Sequence, residues 1–337
     1  MIKDALAKLA DRTDLSAQEA EAVMCEIMDG AATSAQVAGY LMGLRQKGET
    51  VDEIVGSARA MRSRAARIRV GAPIVVDTCG TGGDGAHTFN ISTTAAFVVA
   101  GAGITVAKHG NRSVSSRSGS ADVLSALGVK IDLESNRMVD CIDEVGIGFL
   151  FAPHYHSAMK HCAGPRQEMG IRTILNVLGP LTNPAGATHQ VLGVYEAQKT
   201  EILGRVLLEL GSQHCFVIHG MDGLDEMTLS DRTKVSEGKA GVVSSYFIAP
   251  EEFGLPRVPR KEYAGGSPED NARIVKEILQ GRKSSRRDIV CLNAAPAMVV
   301  GQKARNLQEG FRLAQQTIDS GAAAEKLERL IAYTTRV

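Results

Sequence analysis

Helical periodicity runs through about the first 65 residues of the chain. Apolar residues recur three or four positions apart, as between positions 37 and 44, which is the spacing of one helix face. Gly30 and Gly48 stand where two of the predicted helices should end. Capping boxes, which mark helix starts, occur at Ser16 with Glu19, Thr33 with Gln36, and Thr50 with Glu53. A bundle this small must pack its apolar faces on the rest of the chain, on a second subunit, or on both.

The pattern changes near Val70. Short runs rich in β-branched residues then alternate with helical segments, and this order predicts a mainly parallel sheet with helices packed on it. The runs that predict strands are 74–76, 104–106, 147–151, 191–194, 215–218 and 289–291. Residues 165–184 interrupt the alternation with glycines and prolines, which is typical of a hinge, and they include a short helix.

These patterns predict an α/β fold with two domains. A small N-terminal helical domain should be joined by hinges to a larger α/β domain with a mainly parallel central sheet and flanking helices. The expected helical domain is 1–69, with the hinge-helix segment of about 165–184 added to it. The expected α/β domain comprises 70–164 and 185–337.

Composition is that of an ordinary globular protein and argues against a dedicated nucleic-acid binder. Of 337 residues, 44% are hydrophobic and 23% charged, and 38 basic residues balance 38 acidic ones, although a local basic cleft is compatible with that balance. The six cysteines form no Cys-x-x-Cys pair, which indicates reduced thiols of a cytoplasmic protein. The charged N-terminus differs from a signal peptide, and the longest apolar stretch, near 95–107, is too short to cross a membrane.

A glycine-rich loop, GTGGDG at 80–85, directly follows the first predicted strand. It matches the dinucleotide pattern G-x-G-x-x-G, but an acidic residue should then end the next strand, where Lys108 and His109 stand. Glycines let backbone amides approach an anion, and a helix start near Ser92 adds partial positive charge. A tight turn could need glycine for its own sake, but four glycines in six residues beside a hydroxyl cluster favour a phosphate loop.

A basic, hydroxyl-rich loop follows the second predicted strand. It runs from Lys108 to Ser116, and Ser120 comes shortly after it. The loop should lie at the same carboxyl edge of the sheet as the glycine loop. Its ammonium, guanidinium and hydroxyl groups suit phosphate or ribose oxygens. A solvated basic loop is the alternative, but the position opposite the glycine loop favours a shared anionic ligand.

Paired carboxylates, Asp225 and Glu226, follow a later strand. Beside a phosphorylated ligand they would repel it unless a hard divalent cation lay between them. An exposed Asp-Gly turn explains the same residues equally well, so both interpretations stay open here. His154, His156 and His161 lack the spacing of a zinc motif, which favours packing or substrate contact over metal ligation.

Seven segments in a fixed order extend this pattern along the chain. The segments are DTCGTGGD at 77–84, NIST at 90–93, KHGNR at 108–112, GSADVL at 119–124, GIRT at 170–173, NVLGPLTNP at 176–184 and DGLDE at 222–226. In this order they resemble the anthranilate phosphoribosyltransferase family over nearly the whole chain. The resemblance implies the class III phosphoribosyltransferase fold and magnesium-dependent transfer of 5-phosphoribosyl from phosphoribosyl pyrophosphate (PRPP) to anthranilate, in tryptophan biosynthesis. Ser157 and Leu175 depart mildly from the family pattern, where proline and phenylalanine are commoner.

The resemblance also implies which residues hold the two substrates. Those implied for PRPP are Gly80, Gly82, Gly83, Asp84, Thr88, Asn90, Ile91, Ser92, Thr93, Lys108, His109, Gly110, Asn111, Arg112, Ser113, Ser115, Ser116 and Ser120. Those implied for anthranilate are Gly80, Asn111 and Arg166, with His109 and His156 lining its path.

Magnesium and partners follow from the same resemblance. Two Mg²⁺ ions are implied, one touching Ser92 and the other bound by Asp225 and Glu226. No residue would act as a nucleophile, because Lys108 and magnesium would stabilise the departing pyrophosphate. The implied assembly is a homodimer formed through the N-terminal helical domain, with neither nucleic acid nor membrane as a partner.

Two alternative functions stay open beside this one. A pyrimidine nucleoside phosphorylase has the same fold, although the segment 108–112 and the acidic pair Asp225 and Glu226 fit that class poorly. A non-enzymatic, nucleic-acid-binding relative would need a basic groove and could dispense with the acidic pair.

Overall fold

The computed structural model describes residues 1–113 and 117–336, and it opens with four helices. They are α1 (Ile2–Ala10), α2 (Ala17–Met28), α3 (Ser34–Lys47) and α4 (Val51–Arg64). The three predicted capping boxes are confirmed, because Ser16, Thr33 and Thr50 each exchange hydrogen bonds with the residue three positions later. Gly48 caps α3 with a φ of 92°, and Gly30 follows α2 with a φ of 74°.

A seven-stranded sheet forms the centre of the rest of the chain, in the order β3-β2-β1-β4-β5-β6-β7. The strands are β1 (Val75–Gly80), β2 (Thr105–Gly110), β3 (Ile147–Phe151), β4 (His189–Gly193), β5 (His214–Gly220), β6 (Thr233–Lys239) and β7 (Val242–Ile248). β1 to β5 are parallel, and β6 and β7 are antiparallel, so the predicted mainly parallel sheet is confirmed. The carboxyl ends of the five parallel strands therefore lie at one edge of the sheet.

Helices follow most of the strands and cover both faces of the sheet. They are α5 (Ile91–Gly101), α6 (Ser120–Leu127), α7 (Ser135–Val145), α8 (Ala152–Tyr155), α9 (Lys160–Met169), α10 (Leu175–Leu178), α11 (Lys199–Glu209), α12 (Pro268–Leu279), α13 (Ser285–Val300), α14 (Leu307–Asp319) and α15 (Ala322–Thr335). None of these helices, in the part of the chain that the structure describes, combines the length and apolar character that a membrane crossing requires.

Two apolar cores lie on opposite faces of the sheet. Neighbouring residues of β4 and β5 alternate between them: Val191 and Phe216 join the first core, and Leu192 and Val217 join the second. The first core includes α5 and α13, whereas the second contains α11 and the buried faces of α1 to α4, including Tyr40. The helical unit thus buries its surplus apolar surface partly against the sheet.

Two elements differ from the sequence prediction. The strand predicted at 289–291 is wrong, because these residues lie inside α13, where nearly every side chain is buried. A helix enclosed on all sides carries a continuous apolar run, which periodicity cannot distinguish from a buried strand. The hairpin of β6 and β7 is not predicted, because β7 is an edge strand with mostly exposed side chains and no apolar run on a buried face.

The predicted hinge segment contains more helix than expected. α9 begins at Lys160 and continues through Pro165, and α10 is followed by a 3₁₀ turn at Gly179–Leu181. α9 packs against α2 and α3 of the helical unit. The exact domain boundaries stay a prediction.

Candidate active site

The glycine loop leaves β1 with backbone angles that glycine adopts readily. Gly82, Gly83 and Gly85 have φ values of 64°, 77° and 67°. The N–H of Gly82 donates to Oδ2 of Asp225 at 2.8 Å. Asp84 accepts a hydrogen bond from the backbone N–H two residues later at 3.1 Å. The loop therefore contacts the acidic turn that follows β5.

Positive charge converges beside this loop from α5 and β2. The N–H of Ser92, in the first turn of α5, donates to Oε1 of Glu226 at 3.1 Å. The ammonium of Lys108 donates to the backbone oxygen of Thr78 and lies 3.5 Å from Oγ of Ser92. Burial lowers the pKa of Lys108, and the carboxylate of Asp77 partly opposes that shift. A helix N-terminus and an ammonium thus meet where the sequence predicts a phosphate.

Asp225 and Glu226 extend into this positive region. Both residues keep part of their surface accessible, but protein atoms surround the carboxyl groups themselves. Burial, followed by the charge of Asp84, raises the pKa of Asp225 to about 7. Burial, followed by the charge of Asp225, raises the pKa of Glu226 to about 8, and Lys108 opposes this shift. A divalent cation would relieve the repulsion that disfavours both charges.

The carboxylates fit magnesium as part of a ligand set and not as a complete one. Within residues 1–113 and 117–336, no group of three or more His, Cys, Asp or Glu side chains is arranged to hold a metal ion. Mg²⁺ usually binds one or two carboxylates and completes its coordination with water and substrate phosphates. The pair Asp225 and Glu226 meets that requirement.

Close backbone packing fixes the acidic turn. A β-carbon on Gly193 would overlap the backbone oxygen of Asp225, and one on Gly80 would lie 2.5 Å from its Oδ2. Asn293 of α13 accepts from the N–H of Met227 at 2.8 Å and donates to its carbonyl oxygen at 2.9 Å. The sequence reasoning misses Asn293, although an asparagine inside an apolar helical run indicates a buried group that needs partners.

A hydroxyl cluster connects the acidic turn to the end of the glycine loop. Asp222 accepts hydrogen bonds from the hydroxyls of Thr228 and Ser230. The hydroxyl of Tyr263 lies 3.1 and 2.9 Å from the same two oxygens. The backbone oxygen of Tyr263 accepts from the N–H of Phe89 at 3.3 Å. This cluster is not predicted from the sequence, because Tyr263 lies more than 30 residues after the other three members.

The basic loop after β2 is largely bonded to itself and to α6. Asp122 accepts from Nη1 of Arg112 at 2.9 Å and from the N–H of Ser113 at 3.1 Å. Oδ1 of Asn111 accepts from the N–H of Arg112 at 2.7 Å, and Ser120 donates to the backbone oxygen of Asn111 at 3.2 Å. Arg112 therefore pairs with a carboxylate in this structure, and its binding of a phosphate stays a prediction.

The predicted residues near the start of α5 hold the loops together. Nδ2 of Asn90 donates to the backbone oxygen of Ser118 at 3.1 Å, and its Oδ1 accepts from Asn271 at 3.0 Å. Thr88 forms an isolated antiparallel bridge with Ala264. Asn90 and Thr88 thus lie near the glycine loop and connect it to neighbouring segments of the chain.

Some of the residues predicted to bind PRPP have a buried side chain or, as glycines, none. Ile91 and Thr93 are 1% and 2% exposed, so their backbone groups are what α5 presents. Gly110 ends β2, where a β-carbon would collide with neighbouring side chains. Ser115 and Ser116 lie outside the described residues.

Three side chains hold the hinge turn through successive carbonyl oxygens. His109 of β2 donates Nδ1–H to the oxygen of residue 179 at 3.2 Å. Gln190 of β4 donates to the oxygen of residue 180 at 2.6 Å, and Arg62 of α4 donates to that of residue 181 at 2.7 Å. Of these three residues, only His109 is predicted from the sequence to belong to the site.

Two buried histidines lie side by side near this turn. The ring centroids of His109 and His156 are 5.1 Å apart. Burial, followed by the neighbouring His156, lowers the pKa of His109 to about 3, and burial lowers the pKa of His156. Because the carbonyl oxygen can only accept, Nδ1 of His109 carries the proton and Nε2 is an acceptor, for which the described residues supply no donor.

Arg166 lies on α9, in the segment packed against the helical unit. Its side chain is partly buried, and burial lowers its pKa. Among the residues that the structure describes, none forms a hydrogen bond or an ion pair with its guanidinium. An arginine in this state suits a carboxylate ligand.

Comparison with known proteins agrees with this geometry. Residues 3–65 match the helical bundle domain of a glycosyl transferase family, and residues 72–324 match its a/b domain. Anthranilate phosphoribosyltransferase of Anaeromyxobacter dehalogenans is 58% identical over 335 residues, which is 99% of each chain. The crystal structure of the Thermus thermophilus enzyme of that name covers 99% of this chain and 100% of its own, with 42% identity and a TM-score of 0.93.

The enzyme of Saccharomyces cerevisiae has a similar fold. Its structure in complex with PRPP and Mg has 28% identity and a TM-score of 0.89, and its complex with 4-fluoroanthranilate has 27% identity and a TM-score of 0.90. Each alignment covers 100% of this chain and 98% of the yeast chain. The similarity thus extends over both structural parts and the loops between them. The chain belongs to the anthranilate phosphoribosyltransferase family.

Proposed function

We propose that the protein transfers the 5-phosphoribosyl group of PRPP to the amine of anthranilate, giving N-(5-phosphoribosyl)anthranilate and pyrophosphate in tryptophan biosynthesis. The observation that supports this proposal most strongly lies at the carboxyl edge of the sheet. There the N–H groups of Gly82 and Ser92 donate to Asp225 and Glu226, and the ammonium of Lys108 lies 3.5 Å from Oγ of Ser92. Such a site suits a phosphorylated ligand that arrives with a divalent cation.

The donor's pyrophosphate would take the N–H groups that now serve the acidic pair. Gly82 and Ser92 donate to Asp225 and Glu226, and phosphate oxygens could replace both carboxylates as acceptors. Each carboxylate would then be available to a cation. The other described PRPP residues of the glycine and basic loops lie near the same edge of the sheet, and we assign the whole predicted set to the ribose and the phosphates.

Magnesium is the cation we expect, with two ions in each site. Ser92 would contact one ion, and Asp225 and Glu226 would bind the other. Bound Mg²⁺ would supply neutralisation of the negative charge that develops on the departing pyrophosphate.

Anthranilate would lie between the hinge segment and β2. Arg166 would pair with its carboxylate, and Asn111 and Gly80 would contact its ring substituents. The unpartnered Nε2 of His109 would accept a hydrogen bond from the amine, and His156 would line the path with it.

The reaction needs positioning more than it needs a base. The neutral aryl amine would attack the anomeric carbon with inversion, while the bond to pyrophosphate breaks and the amine loses a proton. Lys108 and the backbone N–H groups would stabilise the departing charge, and loss of one such donor typically costs about 10²–10³ in rate. Movement of the hinge segment toward the sheet would exclude water that could hydrolyse the activated sugar.

We also propose a cytoplasmic homodimer that forms through the helical domain. The support for the dimer is the resemblance to this family, and the support for the location is that the cysteines form no disulfide among the described residues. Sedimentation or light scattering of the purified protein would give the oligomeric state.

The loss of anthranilate fluorescence on mixing with PRPP and magnesium tests the central proposal. We expect loss that requires all three components, with a magnesium-free control remaining constant. No loss, together with phosphorolysis of thymidine or uridine, would instead favour the nucleoside phosphorylase alternative. Retarded migration of nucleic acid at physiological salt without any turnover would favour the nucleic-acid-binding relative.

A further inference from the structure

Arg172, in the hinge segment between α9 and α10, lies directly over the glycine loop. A β-carbon built on Gly83 would lie 3.3 Å from both Nε and Nη2 of Arg172. The Cζ atom of Arg172 is 4.3 Å from the ring centroid of Tyr195, which is 8% exposed and follows β4 at the carboxyl edge. The guanidinium therefore lies between a fixed aromatic ring and the phosphate loop.

This arrangement orients the cation and leaves its charge uncompensated. Within residues 1–113 and 117–336, no carboxylate pairs with Arg172 and no acceptor receives its N–H groups, whereas Arg112 has Asp122 as a partner. A guanidinium stacked on an aromatic ring keeps its N–H donors in the ring-parallel plane, where they can bind an anion in a bidentate manner. The guanidinium lies against Gly83, whose loop we assign to the donor's pyrophosphate.

We propose that Arg172 binds the pyrophosphate of PRPP from the hinge side of the site. The inference rests on the proposed function and adds a residue to its donor site. Two arginines of one segment then serve different substrates: Arg166 takes the carboxylate of anthranilate, and Arg172 takes the diphosphate. The hinge segment contacts both reactants, so a single movement of that segment would bring them together.

Calorimetric titration with inorganic pyrophosphate and magnesium tests this role without requiring turnover. We expect Arg172→Gln to weaken pyrophosphate binding about ten- to hundredfold, which is the usual effect of losing hydrogen bonds to a charged group. The matched control is Arg205→Gln, which removes an exposed arginine of α11 that pairs with Glu201, and it should bind pyrophosphate like the unaltered protein. Unchanged pyrophosphate affinity in a folded Arg172→Gln protein would overturn the proposal.

Two further measurements separate ligand binding from a structural role. In steady-state kinetics, Arg172→Gln should raise the KM for PRPP much more than the KM for anthranilate. Equal changes in both would contradict the assignment.

Tyr195→Phe keeps the stacked ring and should preserve pyrophosphate binding, whereas Tyr195→Leu should weaken it several-fold. Equal binding by the two variants would show that the ring does not orient Arg172. If the unaltered protein binds no pyrophosphate or PRPP, the donor site itself is wrong; if it does and Arg172→Gln binds equally, only the role of Arg172 is wrong.

Discussion

Gly193 and Asp225 touch through their backbones, so that the end of β4 supports the turn that presents the acidic pair. A β-carbon at position 193 would lie 2.7 Å from the carbonyl carbon of Asp225 and would overlap its oxygen. The approach is between two backbones and involves no flexible side chain that could move aside. The position of the carboxylates therefore depends on a residue that takes no part in the chemistry.

Gly193→Ala should displace the acidic turn and lower kcat/KM about a hundredfold, because a shift of about 1 Å in a catalytic group has that effect. The assay is anthranilate consumption over a range of magnesium concentrations. Gly71→Ala is the control, since a β-carbon there meets Asp143 at an ordinary 3.5 Å and activity should be retained. A Gly193→Ala protein with normal turnover would show that the turn is more adaptable than its packing indicates.

Asp225→Asn with Glu226→Gln should preserve the shape of the turn and remove its charge. We expect the magnesium concentration for half-maximal rate to rise by at least the roughly tenfold that losing a metal's supporting partner costs. Measuring rate against magnesium at saturating PRPP gives the value. If the dependence of the rate on magnesium concentration is unaltered, the acidic turn has a purely structural role.

Arg166→Ala should raise the KM for anthranilate far more than the KM for PRPP. Its guanidinium is partly buried and forms no hydrogen bond or ion pair with the described residues. In our proposal it contacts the acceptor, whereas Arg172 contacts the donor. The loss should be about tenfold or more, as for a charge-assisted hydrogen bond. Equal increases for both substrates would contradict this role.

Stability should fall as the pH drops below about 6.5, because the unfolded chain protonates histidines that the folded protein keeps neutral. Burial lowers the pKa of His109 to about 3, so this residue binds a proton in the unfolded state throughout the interval from about 6.5 to 3 but not in the folded state. Its contribution between pH 7 and pH 5 is about 2 kcal/mol of unfolding free energy. Denaturant unfolding at the two pH values measures the difference.

The matching variant is His109→Asn, which can still donate to the oxygen of residue 179. Its stability should depend less on pH between 7 and 5 than that of the unaltered protein. A His109→Asn protein with the same pH dependence would place the responsible group elsewhere, for example at His156.

Local signals made most of the fold predictable. The capping boxes locate α2, α3 and α4, and the β-branched runs locate the five parallel strands, because both signals lie within a few neighbouring residues. The run at 289–291 misleads, since burial on all sides of α13 removes the periodicity that distinguishes helix from strand. Edge strand β7 is not predicted for the opposite reason, because most of its side chains are exposed and form no apolar pattern.

The site was predictable where residues follow strands and unpredictable where distant segments meet. Gly82, Lys108 and Asp225 lie in the carboxyl-terminal half of a parallel strand or in the loop that follows one, so their convergence follows from sheet topology. Asn293 and Tyr263 support the same site from separate elements, and only tertiary packing brings them there. Arg172 belongs to the segment GIRT at 170–173, but its position over Gly83 depends on the path of the hinge segment.

The second core has a consequence for how the protein unfolds. Leu192 and Val217 of the sheet share that core with Tyr40 and the rest of the first four helices. Separating the helical unit would expose this surface to water, at a cost of about 25 cal/mol for each Å² of apolar area. We therefore expect that α1 to α4 do not fold independently of the sheet, and that the whole chain loses its structure in one cooperative transition.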